Sequence, residues 1–102
     1  MIPRYKLAPE AVRDLLEIWR YLKKESSREI ADRVESVIRS KFAYLAQFPG
    51  AGHWRLDLTS AEVRFFSVYS YLIVYRPETE PLEIVSILHA SRDVAGILRE
   101  RL

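Results

Sequence analysis

The chain reads as an α+β domain, a helical hairpin packed on one face of an antiparallel sheet of about four strands in the order β-α-α-β-β-β, closed by a short C-terminal helix. Three observations lead there. Residues 9–47 place apolar side chains at helical spacing in two stretches parted by a short polar break. Residues 63–89 are dense in β-branched and aromatic side chains and are cut by turn formers. The two kinds of segment do not alternate, so a crossover-built parallel sheet is disfavoured.

Residues 3–7, PRYKL, read as a short opening strand, with Tyr5 and Leu7 on one side and Arg4 and Lys6 on the other. Ala8-Pro9-Glu10 forms a helix entry, because Pro is tolerated at the first helical position and Glu10 suits the positive end of the dipole. Val12, Leu15, Leu16, Trp19 and Leu22 then mark a core face that ends near Lys24. Glu25-Ser26-Ser27 breaks this helix, and Ser26 or Ser27 caps a second one running to about Gln47, with the stripe Ile30, Val34, Val37, Ile38, Phe42 and Leu45. So short a break makes the pair antiparallel. Phe48-Pro49-Gly50-Ala51-Gly52 opens an irregular connection of a dozen residues, long enough to suggest function. Strands follow at Val63 to Val68, Tyr71 to Arg76 and Leu82 to His89, with residues 77–81 as a turn. Arg92 to Leu102 reads as the last helix, with Asp93 at its start and Arg99 and Arg101 near its end.

With 102 residues and 49% hydrophobic content the chain supports one core, hence a single domain over residues 1–102. The absence of cysteine removes disulfides and thiolate metal sites. No apolar run approaches signal-peptide or membrane-span length, so a cytoplasmic location is expected. Residues 1–48 carry ten Lys/Arg against seven Asp/Glu, and residues 49–102 six against seven, giving +3 and −1. No basic concentration of the kind that grips nucleic acid is visible.

The fragments APEAVRDLLEIWRYL, LAQFPGAGHWRLDL, VRFFSVYSYLIVYRPE and EIVSILHASRD, in this order and spacing, resemble the RelE/ParE toxin superfamily and its ParE-like branch over nearly the whole chain. That resemblance implies the toxin of a type II toxin–antitoxin system, neutralised by an antitoxin whose C-terminal segment wraps it, with a heterotetramer as one expected assembly. ParE-like members poison DNA gyrase and have no recognised catalytic set, whereas RelE-like members cut mRNA in the ribosome. An arginine commonly follows the aromatic that opens the central strand in the cutting branch, but here Leu72 follows Tyr71. Where the cutters end on a tyrosine or histidine, this chain has Ile97 to Leu102. The expectation is a gyrase-binding inhibitor. The alternatives are a ribosome-dependent endoribonuclease and a non-toxic regulatory member that only binds its antitoxin.

Candidate residues divide by role. His89 and Arg92, with Arg64, are the catalytic candidates, because an imidazole beside a permanent cation suits acid–base work on a phosphodiester. Structural roles in a loop compete with that reading. His53, Trp54 and Arg55 in the long connection, with Arg76, Arg99 and Arg101, are the candidates for target binding. Against them stand a core-edge tryptophan, an Arg55–Asp57 pair and ordinary edge-strand charge. Ile18, Tyr21 and Tyr44 fall off the main core faces and are candidates for antitoxin binding. Two histidines without cysteine or His-x-x-x-His spacing disfavour a metal, and no cofactor is expected. There is no phosphate-binding glycine loop and no serine elbow.

Overall fold

A computed structural model describes residues 4–102. The elements are β1 (Tyr5–Leu7), α1 (Pro9–Glu25), α2 (Arg28–Gln47), a 3-10 turn (Pro49–Ala51), β2 (Arg64–Val68), β3 (Tyr71–Arg76), β4 (Leu82–His89) and α3 (Val94–Arg101). Pro3, expected in the first strand, lies outside the described residues.

Helix boundaries follow their caps. Pro9 begins α1 without any side-chain cap from Ala8, and Ser26 ends it by returning its N–H to the Leu22 carbonyl. Ser27 then caps α2, its hydroxyl accepting the Ile30 N–H at 3.1 Å. Asp93 does the same for α3, accepting from the Gly96 N–H at 3.1 Å. With helix breakers only at residues 26–27, the two long helices fold back on each other. Trp19 of α1 donates to Asp32 of α2 at 2.7 Å across the hairpin.

The sheet order is β1-β4-β3-β2. β2, β3 and β4 pair antiparallel, and β1 joins parallel to β4 in the register Tyr5↔Leu82 and Leu7↔Ile84, so the sheet is mixed at that edge. The cause is topological: sequential hairpins occupy both sides of β3, and the outer side of β4 is the place left for the opening strand. A bulge at Val85 puts two residues between Ile84 and Ile87. Both isoleucines therefore face the helices.

Both faces of the sheet are buried. On one side Ile73, Tyr75, Ile84 and Ile87 pack with Ala11, Leu15, Ile38, Phe42 and Leu45 of the hairpin. On the other, Leu72, Val74, Val85 and Leu88 pack with Val94 and Leu98 of α3 and with Val63. A sheet covered twice needs nearly continuous apolar strands, as residues 71–75 and 84–88 supply.

The face of α1 corrects an expectation. Ala11 and Leu15 are buried, with Ile18 packed against them, whereas Val12 and Leu16 are 53% and 43% exposed. The buried stripe is rotated by about 100°, one residue's turn of a helix, from the one the apolar spacing suggests. Asp14 is carried inside with it.

Candidate functional site

The rotation of α1 shapes a cleft of about 530 Å3 between that helix and the ends of β3 and β4. Asp14, Glu17, Ile18 and Tyr21 form the α1 wall. Tyr71, Ile87, His89, Ser91 and Arg92 form the opposite wall. Two residues expected to meet an antitoxin, Ile18 and Tyr21, thus share one cavity with two catalytic candidates, His89 and Arg92.

Beneath the cleft lies a buried ion pair. β1 covers β4 only at Leu82–Ile84, so the N–H of Ile87 faces no strand, and Asp14 accepts it at 3.0 Å. The Arg101 guanidinium reaches the same carboxylate from α3, at 2.6 Å and 3.1 Å, and also donates to the Ser86 hydroxyl at 3.0 Å. The Asp14 side chain is 3% exposed. Hydrogen bonding to Asp14 holds the Arg101 pKa above its ordinary value, against a smaller opposing effect of burial. Arg101 is therefore a structural latch between α3 and α1. Three internal hydrogen bonds occupy three of its five N–H donors.

His89 takes a definite tautomer. Its Nδ1 accepts the Ser91 backbone N–H at 3.1 Å and lies 2.7 Å from the Ser91 hydroxyl. A ring nitrogen that accepts from an amide carries no proton of its own, so in the neutral ring the proton sits on Nε2. Tyr71 packs edge-to-face with the ring, centroids 5.4 Å apart. Burial raises the Tyr71 pKa, and the neighbouring Tyr21 adds to the effect. Its hydroxyl stays protonated at neutral pH.

Arg64, the third catalytic candidate, is elsewhere. It sits opposite Tyr75 in the ladder whereas His89 sits opposite Tyr71, roughly 13 Å apart along β3 at strand rise and on its two opposite neighbours, so further still in space. Its guanidinium donates to the Gly52 carbonyl at 2.9 Å and stacks 4.3 Å over the Trp54 ring. Arg64 thus lies outside the cleft that His89 and Arg92 line.

Arg64 instead helps to build a rigid loop. The Tyr75 hydroxyl donates to the Pro49 carbonyl at 2.7 Å and accepts the Gly52 N–H at 2.8 Å. A Cβ on Gly52 would lie 2.5 Å from that hydroxyl and 2.9 Å from the Phe65 carbonyl oxygen, so only glycine fits the approach. His53 and Phe65 exchange backbone hydrogen bonds of 2.8 Å in both directions. Arg55 grips Asp57 through two bonds of 2.9 Å and 2.8 Å. What this scaffold presents is apolar: Trp54 is 47% and Leu56 78% exposed. Leu56 was not singled out by the sequence, because nothing in its neighbourhood shows which residues of a loop point outward.

The other candidates are scattered. Tyr44 lies at the far end of the hairpin in an aromatic patch with Phe48 and Phe66, centroids 5.3 Å and 5.8 Å away. Arg76 pairs with Glu83 on the adjacent strand at 2.8 Å. Arg99 is exposed on α3, beside a shallow depression that Asp93 and Glu100 also line.

A helical hairpin on a mixed four-stranded sheet, backed by a third helix, is the fold of a solved chain from the chromosomal ParDE TA system of P. aeruginosa. The two superpose with a TM-score of 0.73 at 19% identity, over 86% of this chain and 96% of that one. The family model described as ParE toxin of type II toxin-antitoxin system, parDE, matches residues 5–94, and the chain belongs to that family. No curated protein matches the chain. Among the described residues no helix is long and apolar enough to cross a membrane.

Proposed function

We propose that the chain arrests growth by binding DNA gyrase, without a catalytic step of its own, and that a cognate antitoxin silences it. The observation that carries the non-catalytic reading is the separation of Arg64 from His89 and Arg92. A ribonuclease centre needs its cations and its acid–base group within hydrogen-bond reach of one phosphodiester, and two of the three candidates share a cleft while the third is locked against Trp54. The pre-organised loop supports the binding reading. A loop already held by hydrogen bonds loses less entropy on association, and aromatic anchors such as Trp54 are among the residues that carry most of the binding energy of protein interfaces. His53, Trp54 and Arg55, joined by Leu56, form the gyrase face in this reading. Ile18 and Tyr21 beside the cleft and Tyr44 at the far end of the hairpin, with the exposed Val12 and Leu16, are separate contact points for an antitoxin that wraps the chain, and a heterotetramer would assemble through them.

Controlled expression of the chain alone in bacteria, with pulse labelling in the first minutes, tests the reading. DNA synthesis is expected to stop first, with DNA breaks and filamentous cells. Translation stopping first, with cleaved mRNA, would replace the gyrase reading with the nuclease one. No growth effect would leave the antitoxin-binding regulatory role.

A further inference from the structure

The surface around the outer edge of β2 is uncharged. Residues 42–54 and 65–75 hold no Lys, Arg, Asp or Glu, in a chain that is 29% charged. Between the two runs Arg64 is folded onto Trp54 and the Gly52 carbonyl, and Arg55 and Asp57 neutralise each other. Within this surface Tyr44 is 44% and Phe48 50% exposed, and with Phe66 they form the aromatic patch on the helix side of β2. Beside the patch the strand edge is open at one residue. Phe65 turns its N–H and C=O outward to His53, so Ser67, two residues on, turns its own pair the same way. Ser67 is exposed, and its outward pair meets no backbone partner among the described residues. Edge strands are usually guarded by charge or proline, and residues 65–68 have neither.

We propose that the β2 edge and its aromatic patch are the interface between two copies of this chain in solution, related by a two-fold axis at Ser67. Each Ser67 N–H then donates to the Ser67 carbonyl of the second copy, and the two aromatic patches meet on the helix side of the joined strands. The edge favours a second copy over an extended peptide. A longer strand would pair next at Phe65 and Tyr69, but His53 already holds the first, and the chain turns at the second with φ 53°. One exchanged pair of bonds is what a two-fold axis supplies. Charge favours a second copy too. An uncharged face selects no charged partner and meets itself without repulsion, and homodimer interfaces are the more apolar kind. Size sets the strength. Two half-exposed aromatics contribute about 200 Å2 per copy, so with Phe66 and the strand edge the face stays below the roughly 800 Å2 per partner of a standard stable complex, and the dimer is reversible. The inference does not depend on which target the toxin poisons. Under the antitoxin reading given above, Tyr44 changes partner when the complex forms.

The chain has no cysteine, so a single introduced thiol reports the contact. Antiparallel residues that exchange both bonds have Cα atoms about 5.5 Å apart, with side chains on one face. A short thiol-to-thiol cross-linker should therefore join Ser67→Cys to its copy at least about tenfold faster than Ser26→Cys, an exposed site at the other end of α2, because the dimer raises the local thiol concentration. Sedimentation velocity of the wild-type chain should show a monomer–dimer equilibrium. Tyr44→Lys, which sets like charges across the axis, should weaken it by at least about tenfold. In the wild type, hydrogen exchange at the Ser67 amide should slow as protein concentration rises. A wild-type chain monomeric up to about 1 mM, equal cross-linking of the two cysteine variants, or a dimer untouched by Tyr44→Lys would overturn the proposal. A chain that stays monomeric alone, while its complex with antitoxin protects the Ser67 amide, would overturn it in favour of the antitoxin as occupant. Neither growth arrest nor gyrase inhibition enters these measurements, so the two readings can fail separately.

Discussion

Removing the Arg101 guanidinium should cost the domain a large part of its stability. The Asp14 carboxylate accepts three hydrogen bonds, two of them from Arg101, and its side chain is only 3% exposed. Arg101→Leu strips both charge-assisted bonds, leaves the Ile87 N–H as sole donor to a buried anion, and removes the donor that reaches the Ser86 hydroxyl. Breaking a buried pair from one side costs about 3–5 kcal/mol, because the remaining charge is desolvated without compensation. Against a total of roughly 5–15 kcal/mol for a small domain, that lowers Tm by more than about 12 °C. Asp14→Leu combined with Arg101→Leu removes the orphaned charge and leaves only the Ile87 N–H and Ser86 short of partners, so the double variant should be more stable than Arg101→Leu alone. Urea unfolding followed by far-UV circular dichroism, run as a double-mutant cycle, measures the difference. A single-variant loss under about 1 kcal/mol, or losses that simply add, would refute the latch.

Other outcomes follow from the loop and the hairpin. Tyr75→Phe leaves the Gly52 N–H and Pro49 carbonyl without the hydroxyl that joins them, a cost of about 1–3 kcal/mol with faster hydrogen exchange at Gly52. Tyr69 turns the β2–β3 hairpin at φ 53°, a left-handed conformation that penalises a side chain. Tyr69→Gly should raise the unfolding free energy by up to about 1 kcal/mol, the relieved strain less the added chain entropy, seen as a higher urea midpoint. Alkali should destabilise the fold. Burial raises the Tyr71 and Tyr75 pKa values above the ordinary 10.0, so their contribution is complete below pH 10 and is lost as pH climbs through the folded values. Absorbance at 295 nm should show a late-ionising fraction among the six tyrosines, and a single transition at the ordinary value would contradict the burial effect.

Local physics made the element order legible. Pro9, the serines at 26 and 27, Pro49 with its two glycines and Asp93 mark boundaries through short-range chemistry, and each boundary falls within two residues of the expected place. Face assignment was harder. Val12 and Leu16 are as apolar as Leu15, and spacing alone does not separate a residue that meets the core from one that waits for a partner. The burial of Asp14 could not be read from spacing, because its partner lies 87 residues away in sequence. The parallel β1–β4 pair depends on which sheet edge is vacant, a property of the assembled hairpins. For the site, His89, Arg92, Ile18 and Tyr21 were each singled out by residue type, but their convergence needs the rotation of α1. The stacking of Arg64 on Trp54 was not legible, because a strand residue's alternation tells its face and not the aromatic it will meet.

The central claim, that the chain acts by binding gyrase through the loop around Trp54 and Leu56, is tested most directly with purified gyrase in a supercoiling and DNA-cleavage assay. The folded chain should block supercoiling and trap cleaved DNA, and Leu56→Asp, whose side chain is almost wholly in solvent, should keep the fold and lose at least about tenfold in potency, the effect of about 1.4 kcal/mol at an interface anchor. Gyrase left fully active by the wild-type chain, or inhibited equally by Leu56→Asp, would contradict the account.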